Sequence, residues 1–234
     1  MRDSFLYLKS MARSPRAAEG GLVYHALNRG NARLAIFDDA GDYGAFLRIL
    51  GEAVTRHSMR LLAYCVMPNH FHLILWPTAD GDLSRFLRWL TLTHTQRWHA
   101  HRRSADSGHL YQGRFKSFPI QDDDHFLTAC RYVERNALRA GLVTRAEAWP
   151  WSSLAISKHA AGPSLTPWPT KRPPNWVERV NQPMSAGEED AMRRSIQRNQ
   201  PFGESDWQTE TATRLGLEAS LRSVGRPRKL ENGT

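Results

Sequence analysis

His70 and His72 stand two positions apart in the run Tyr64-Cys65-Val66-Met67-Pro68-Asn69-His70-Phe71-His72-Leu73-Ile74-Leu75-Trp76-Pro77. The second half of this run has the composition of a short buried strand: Phe71, Leu73, Ile74, Leu75 and Trp76 are aromatic or aliphatic, and Pro68 and Pro77 bound it. Alternate residues of a strand leave the same sheet face, so the two imidazoles project side by side and Phe71 goes to the opposite layer. Neutral imidazoles bind divalent metals, and this pair is half of such a site; two buried, hydrogen-bonded histidines would show the same spacing. Downstream, Asp124 to Gly141 has the periodicity of an amphipathic helix, with Asp122 to Asp124 as acidic caps and Gly141 as its stop. Tyr132 and Asn136 lie one turn apart on one face of it, so a phenol and an amide oxygen arrive together. A core tyrosine and a capping asparagine are the plainer alternative.

The elements that must position these groups follow from pattern. Leu22 to Asn28 reads as a first strand, ending in the turn Asn28-Arg29-Gly30-Asn31. Asp38 or Asp39 caps a helix through about His57, with Tyr43, Phe46, Leu47, Leu50 and Val54 at helical spacing. Met59 to Val66 is a second strand, joined to the third, His70 to Trp76, by the tight Met67-Pro68-Asn69 connection. Asp82 or Ser84 opens a helix through about His99, and Phe115 to Ile120 is a fourth strand before the Tyr132 helix. The order β-α-β-β-α-β-α predicts an α+β fold: a split β-α-β antiparallel sheet with helices on one face.

A chain of 234 residues, 41% hydrophobic, suffices for one fair-sized core with appendages. Its formal charge of +9 and pI near 10.1 favour a polyanionic partner, because Lys and Arg neutralise phosphates and release counterions. Cys65 and Cys130 fit no zinc spacing and no disulfide framework, which points to a reducing cytoplasm. No run approaches the roughly 18 apolar residues of a membrane span. No Gly-x-x-x-x-Gly-Lys loop is present, so no nucleotide cofactor is expected.

Basic residues alternate with aromatics in Arg97-Trp98-His99-Ala100-His101-Arg102-Arg103 and in Gly108 to Lys116, which includes Arg114. Cations that hold a backbone beside rings that stack on bases suit single-stranded nucleic acid, although solvated charges on a helix end read the same way. Arg29, in the first turn, joins this set. The chain divides into a basic arm over 1–20, a main domain over 21–153, a Pro-rich linker over 154–184 and a basic, helical extension over 185–234. Within that extension Ser185 and Glu188 form a capping pair, and Val224-Gly225-Arg226-Pro227-Arg228-Lys229 carries a Gly-Arg-Pro core similar to an AT-hook, which places Arg226, Arg228 and Lys229 on DNA. A solubilising basic tail is the alternative.

Three blocks, "YCVMPNHFHLIL", "GHLYQGRFKS" and "RYVERNALRAGLV", together with "YHALNRGN" and "WPWSS", resemble the HUH single-tyrosine (IS200-like) transposases, specifically their REP-associated tyrosine transposase branch. The resemblance spans Tyr24 to Ser153 and implies a ferredoxin-like sheet. It also implies His70, His72 and Asn136 as ligands of Mg²⁺ or Mn²⁺ and Tyr132 as nucleophile, cutting single-stranded or hairpin DNA through a 5′-phosphotyrosine. The family commonly has Asn-Pro where this chain has Asn136-Ala137. Relatives often begin as Met11 does, which implies Met11 as the start. A cytoplasmic, nucleoid-associated monomer or homodimer is expected. A catalytically silent DNA-binding protein and a metal-dependent RNA-processing protein are the competing classes.

Overall fold

Strand residues alternate between two apolar layers, and this alternation organises the whole molecule. The computed structural model describes residues 18–103, 108–155 and 163–222. The Met11 start and the segment bearing Arg226, Arg228 and Lys229 lie outside them. Four strands, β1 (Val23–Arg29), β2 (Arg60–Met67), β3 (His70–Trp76) and β4 (Lys116–Ile120), form an antiparallel sheet in the order β2-β3-β1-β4. Tyr24 and Ala26 of β1 and Phe71, Leu73 and Leu75 of β3 face one core; Val23, Ile74, Phe118 and Ile120 face the other. A register shift between Leu61 and Ala63 of β2 is a bulge, which accounts for the consecutive residues Leu62 and Ala63 both entering the second core.

Helices α1 (Ala40–Arg56) and α2 (Asp82–Arg102) cover the first face. Asp39 accepts the Asp42 amide and starts α1, and Tyr43, Phe46, Leu47 and Leu50 bury one of its faces. Helix α2 runs to Arg102, beyond the expected end at His99, and stops where Arg103 turns left-handed at φ 51°. The antiparallel α+β sheet is the one expected, but its helices do not all lie on one face. Helix α3 (Asp124–Glu134) packs on the second face through Phe126, Cys130 and Val133, because that face has its own complete set of apolar strand residues.

The single helix expected over 124–141 is divided at Arg135, whose backbone stays near helical (φ −81°, ψ −8°), into α3 and a short α4 (Asn136–Arg139). Gly141 (φ 70°) ends it, with the amides of Gly141 and Leu142 bonding back to Leu138 and Ala137.

The described part of the segment expected as a Pro-rich linker, over 163–184, packs largely against the second core. Trp168 donates its indole N–H to Leu62 O (2.8 Å), and Trp176, 3% exposed, opens α5 (Trp176–Asn181). Large indoles bury too much apolar area to remain in an extended tether. Beyond it lie α6 (Ala186–Arg198), α7 (Ser205–Leu215) and α8 (Glu218–Leu221); the expected Ser185–Glu188 capping box starts α6. C-terminal segments also close both sheet edges. Val66 N donates to Trp151 O (2.9 Å) and Thr166 N to Leu61 O (2.8 Å) along β2, while Phe202 exchanges bonds with Pro119 and Gln121 along β4. Covered edges cannot template pairing with another chain. Among the described residues no helix is long and apolar enough to cross a membrane.

Candidate active site and strand-binding groove

The second sheet face places the histidines opposite α3. The rings of His70 and His72 have centroids 4.9 Å apart, and Tyr132 stands 6.0 Å from His72, ring to ring. The expected meeting of the late-helix phenol with the histidine pair therefore occurs. A third imidazole, unforeseen from sequence, joins them: His25 of β1 is fully buried, with its Nε2 2.8 Å from His72 Nδ1 and its ring 6.3 Å from Tyr132.

Each histidine of the pair has its Nδ1 engaged. Asn69 donates from Nδ2 to Arg33 O (2.9 Å), which turns its Oδ1 toward His70 Nδ1 at 2.6 Å. His70 Nδ1 must then carry the hydrogen, and Nε2 keeps a lone pair. Burial lowers the pKa of His70 to about 3, helped by Arg29 and Arg139, and holds His72 well below the usual imidazole range, reinforced by His25 and His70. Neutral imidazoles are the form that binds a cation.

Asn136 is 1% exposed; its Oδ1 accepts from Arg139 Nη2 (3.4 Å) and its Nδ2 has no hydrogen-bond partner. The same Arg139 nitrogen reaches the Tyr132 hydroxyl at 3.3 Å, and its guanidinium sits 5.0 Å from the centre of that ring. Arg139 thus ties the phenol to the amide. Burial raises the Tyr132 pKa, and Arg139 is the largest influence opposing it. Among the described residues no cluster of three or more His, Cys, Asp or Glu side chains is assembled for a metal. A cation at this pair would have to complete its shell with neutral or substrate oxygens, which suits an amide such as Asn136 and a phosphodiester.

Tyr132 lines a cavity of about 600 Å³ whose walls carry Arg29, Arg33, Arg114, Lys116 and Arg193. Across Asn28, Gly113 and Arg114 it adjoins a more apolar cavity of about 510 Å³ between α2 and the loop before β4. Lys116 Nζ also donates to Ile196 O (3.2 Å) and Gln197 O (3.4 Å), which joins α6 to the groove wall.

Of the basic residues singled out in the sequence, Arg29, Arg114 and Lys116 line this groove. Arg97 is paired with Glu52 (2.8 Å), and Arg102 with Asp38 (2.9 Å) and Asp42 (2.5 Å) while stacking on Trp98. These carboxylates hold them on the α1–α2 side of the sheet, and Arg103 is exposed at the end of α2. Arg33, Arg139 and Arg193 were not foreseen. Arg139 could have been found from its one-turn spacing to Asn136; Arg33 and Arg193 reach the groove only through tertiary packing.

Residues 19–136 match the family model described as "Transposase IS200 like". A REP-associated tyrosine transposase of Haemophilus influenzae is 25% identical over 111 residues, covering 44% of this chain and 63% of that protein. The chain thus spans less than two thirds of that relative's length. A solved REP-associated tyrosine transposase bound to a REP hairpin is similar with a TM-score of 0.51 and 18% identity, over 68% of this chain and 96% of the other. A transposase structure from Deinococcus radiodurans matches at a TM-score of 0.37 and 19% identity, over 56% and 92% of the two chains. The first of these structures shares the fold.

Proposed function

Because this chain belongs to the IS200-like transposase family, we propose that it cuts and rejoins single-stranded DNA beside a folded palindrome, with Tyr132 as the nucleophile. The observation that carries this reading is that Tyr132, 6.0 Å from His72 ring to ring, lines a cavity walled by arginine and lysine. The phenolic oxygen attacks the scissile phosphorus, the bond from phosphorus to the 3′-oxygen breaks, and that oxygen leaves as a 3′-hydroxyl after taking up a proton. The phenolic proton passes to solvent. The product is a 5′-phosphotyrosine on Tyr132, which conserves the bond energy so that another 3′-hydroxyl can reverse the step.

A Mg²⁺ or Mn²⁺ ion held by Nε2 of His70 and His72 and by the Asn136 amide would polarise a non-bridging phosphate oxygen. Arg139, donating to the Tyr132 hydroxyl, stabilises the negative charge of the attacking phenolate. Arg29, Arg114 and Lys116 hold the flanking strand by its phosphates. The likeness in fold to a protein bound to a REP hairpin supports hairpin DNA as the substrate.

Denaturing electrophoresis of a 3′-labelled hairpin incubated with the protein and Mn²⁺ tests this. A covalent protein–DNA band is expected from the wild type and not from Tyr132→Phe. An equal band from Tyr132→Phe would refute Tyr132 as nucleophile, and hairpin binding with no band from either protein would leave a silent DNA-binding protein.

A further inference from the structure

We propose that His25 is a positioning residue: it is the hydrogen-bond acceptor that lets His72 take its Nδ1–H tautomer when a cation is bound, leaving His72 Nε2 open to that cation. The inference rests on the reading of His70 and His72 as ligands and adds a residue to it.

His25 is fully buried on β1, on the face that also presents Phe118, whose ring centre lies 5.0 Å away, edge-on. In the β1–β3 register Leu27 lies opposite His72 and His25 opposite Ile74, so His25 reaches His72 diagonally across the ladder. An imidazole in an apolar layer is unfavourable unless its polar atoms are used. Only one of them is: Nε2 meets His72 Nδ1 at 2.8 Å, and Nδ1 is buried with no partner.

That single bond allows two proton arrangements. In one, His72 Nδ1–H donates to His25 Nε2, and His72 Nε2 keeps its lone pair. In the other, His25 Nε2–H donates, and the hydrogen on His72 moves to Nε2, where it blocks ligation. His25 Nδ1 is unpartnered in both, carrying the hydrogen in the first and a lone pair in the second, so no further hydrogen bond of His25 fixes the arrangement. His70 differs, since the Asn69 amide, itself oriented by Arg33 O, admits only the Nδ1–H form. A cation therefore selects the His72 tautomer, and His25 makes that selection inexpensive by accepting a hydrogen that would otherwise be buried without an acceptor. His25 is no ligand itself, because the nitrogen it turns toward the site is spent on His72.

The test uses the full-length protein and two readouts. Long-range ¹H–¹⁵N NMR of the imidazoles, with and without Mg²⁺, reports the tautomer, and titration with Mn²⁺ followed by electron paramagnetic resonance reports affinity. In wild-type protein His72 is expected as Nδ1–H when Mg²⁺ is bound. His25→Phe is expected to bind Mn²⁺ about 10–100-fold more weakly, the usual cost of losing a partner behind a metal ligand. His25→Gln, whose amide oxygen can accept the same hydrogen, is expected to stay within about threefold of wild type, since its acceptor replaces the lost one. Mn²⁺ affinity unchanged in His25→Phe overturns the role of His25 alone. An Nε2–H His72 in the Mg²⁺-bound wild type also overturns it, with no variant needed. A wild type that binds no Mn²⁺, or binds it equally after His70→Ala, overturns the ligand reading as well.

Discussion

Replacing Trp176 by phenylalanine keeps most of a buried ring and deletes one donor, the indole N–H that reaches Glu134 Oε2 at 2.6 Å. Glu134 is 1% exposed, two residues after Tyr132; its other oxygen accepts from Ser153 Oγ at 2.7 Å, and Arg172 lies 3.5 Å away. A hydrogen bond to a charged group contributes about 1.5–3 kcal/mol. For a chain of this size about 2–4 °C of Tm accompanies each kcal/mol, so Tm should fall by about 3–12 °C at neutral pH. The effect has a definite pH dependence. Burial raises the Glu134 carboxyl above its ordinary 4.5, opposed by Arg172, Trp176 and Ser153. The folded chain therefore holds this proton more tightly than the unfolded chain, and the carboxyl's contribution to stability declines as pH rises above 4.5 toward the folded value. The indole N–H offsets that decline by stabilising the charged form, so the difference between wild type and Trp176→Phe should be larger at pH 8 than at pH 5. Calorimetry of both proteins at the two pH values is the assay. An equal loss at both, or a loss below about 0.5 kcal/mol, the ordinary range for surface substitutions, would refute Glu134 as the charged anchor between α3 and the Trp-rich segment.

Asn69→Ala removes the acceptor of His70 Nδ1 and should weaken Mn²⁺ binding by about 10–100-fold, measured by competition with a chelating dye; unchanged affinity would show that Asn69 serves only the turn. Arg114→Ala should make the plot of log affinity for single-stranded DNA against log salt shallower by about 0.7, one phosphate's worth, whereas Arg97→Ala should leave the slope unchanged because Glu52 already holds that guanidinium. Phe46→Ala, at a fully buried position between α1 and the sheet, should cost about 3–5 kcal/mol in urea unfolding, and a cost below 1 kcal/mol would contradict the assigned core.

Local signals carried much of this architecture. The strand His70–Trp76 was legible to the residue because prolines flank it and its residues form a short, nearly continuous apolar run, and α1 was legible from a cap at Asp38 or Asp39 and one apolar stripe. Tyr132 facing the histidine pair followed from helical and strand periodicity combined with the family resemblance. His25 was not legible: it is a lone imidazole in a strand whose partner is 47 positions away, and only the sheet register brings them together. The packing of Trp168 and Trp176 was not legible, because a proline-rich composition also suits an extended tether and only the fold seats the two indoles on the second core. The pairing of Arg97 and Arg102 could not be read either, since their carboxylate partners sit on another helix or just before it.

The claim on which the rest depends is that the phenol of Tyr132 becomes covalently joined to DNA. Digesting the protein after reaction with a hairpin substrate and Mn²⁺, then sequencing the nucleotide-bearing peptide by mass spectrometry, measures this directly. One modified peptide is expected, with a 5′-linked nucleotide on Tyr132. An adduct on any other residue, or a cleaved strand with no adduct at any time point, would contradict it.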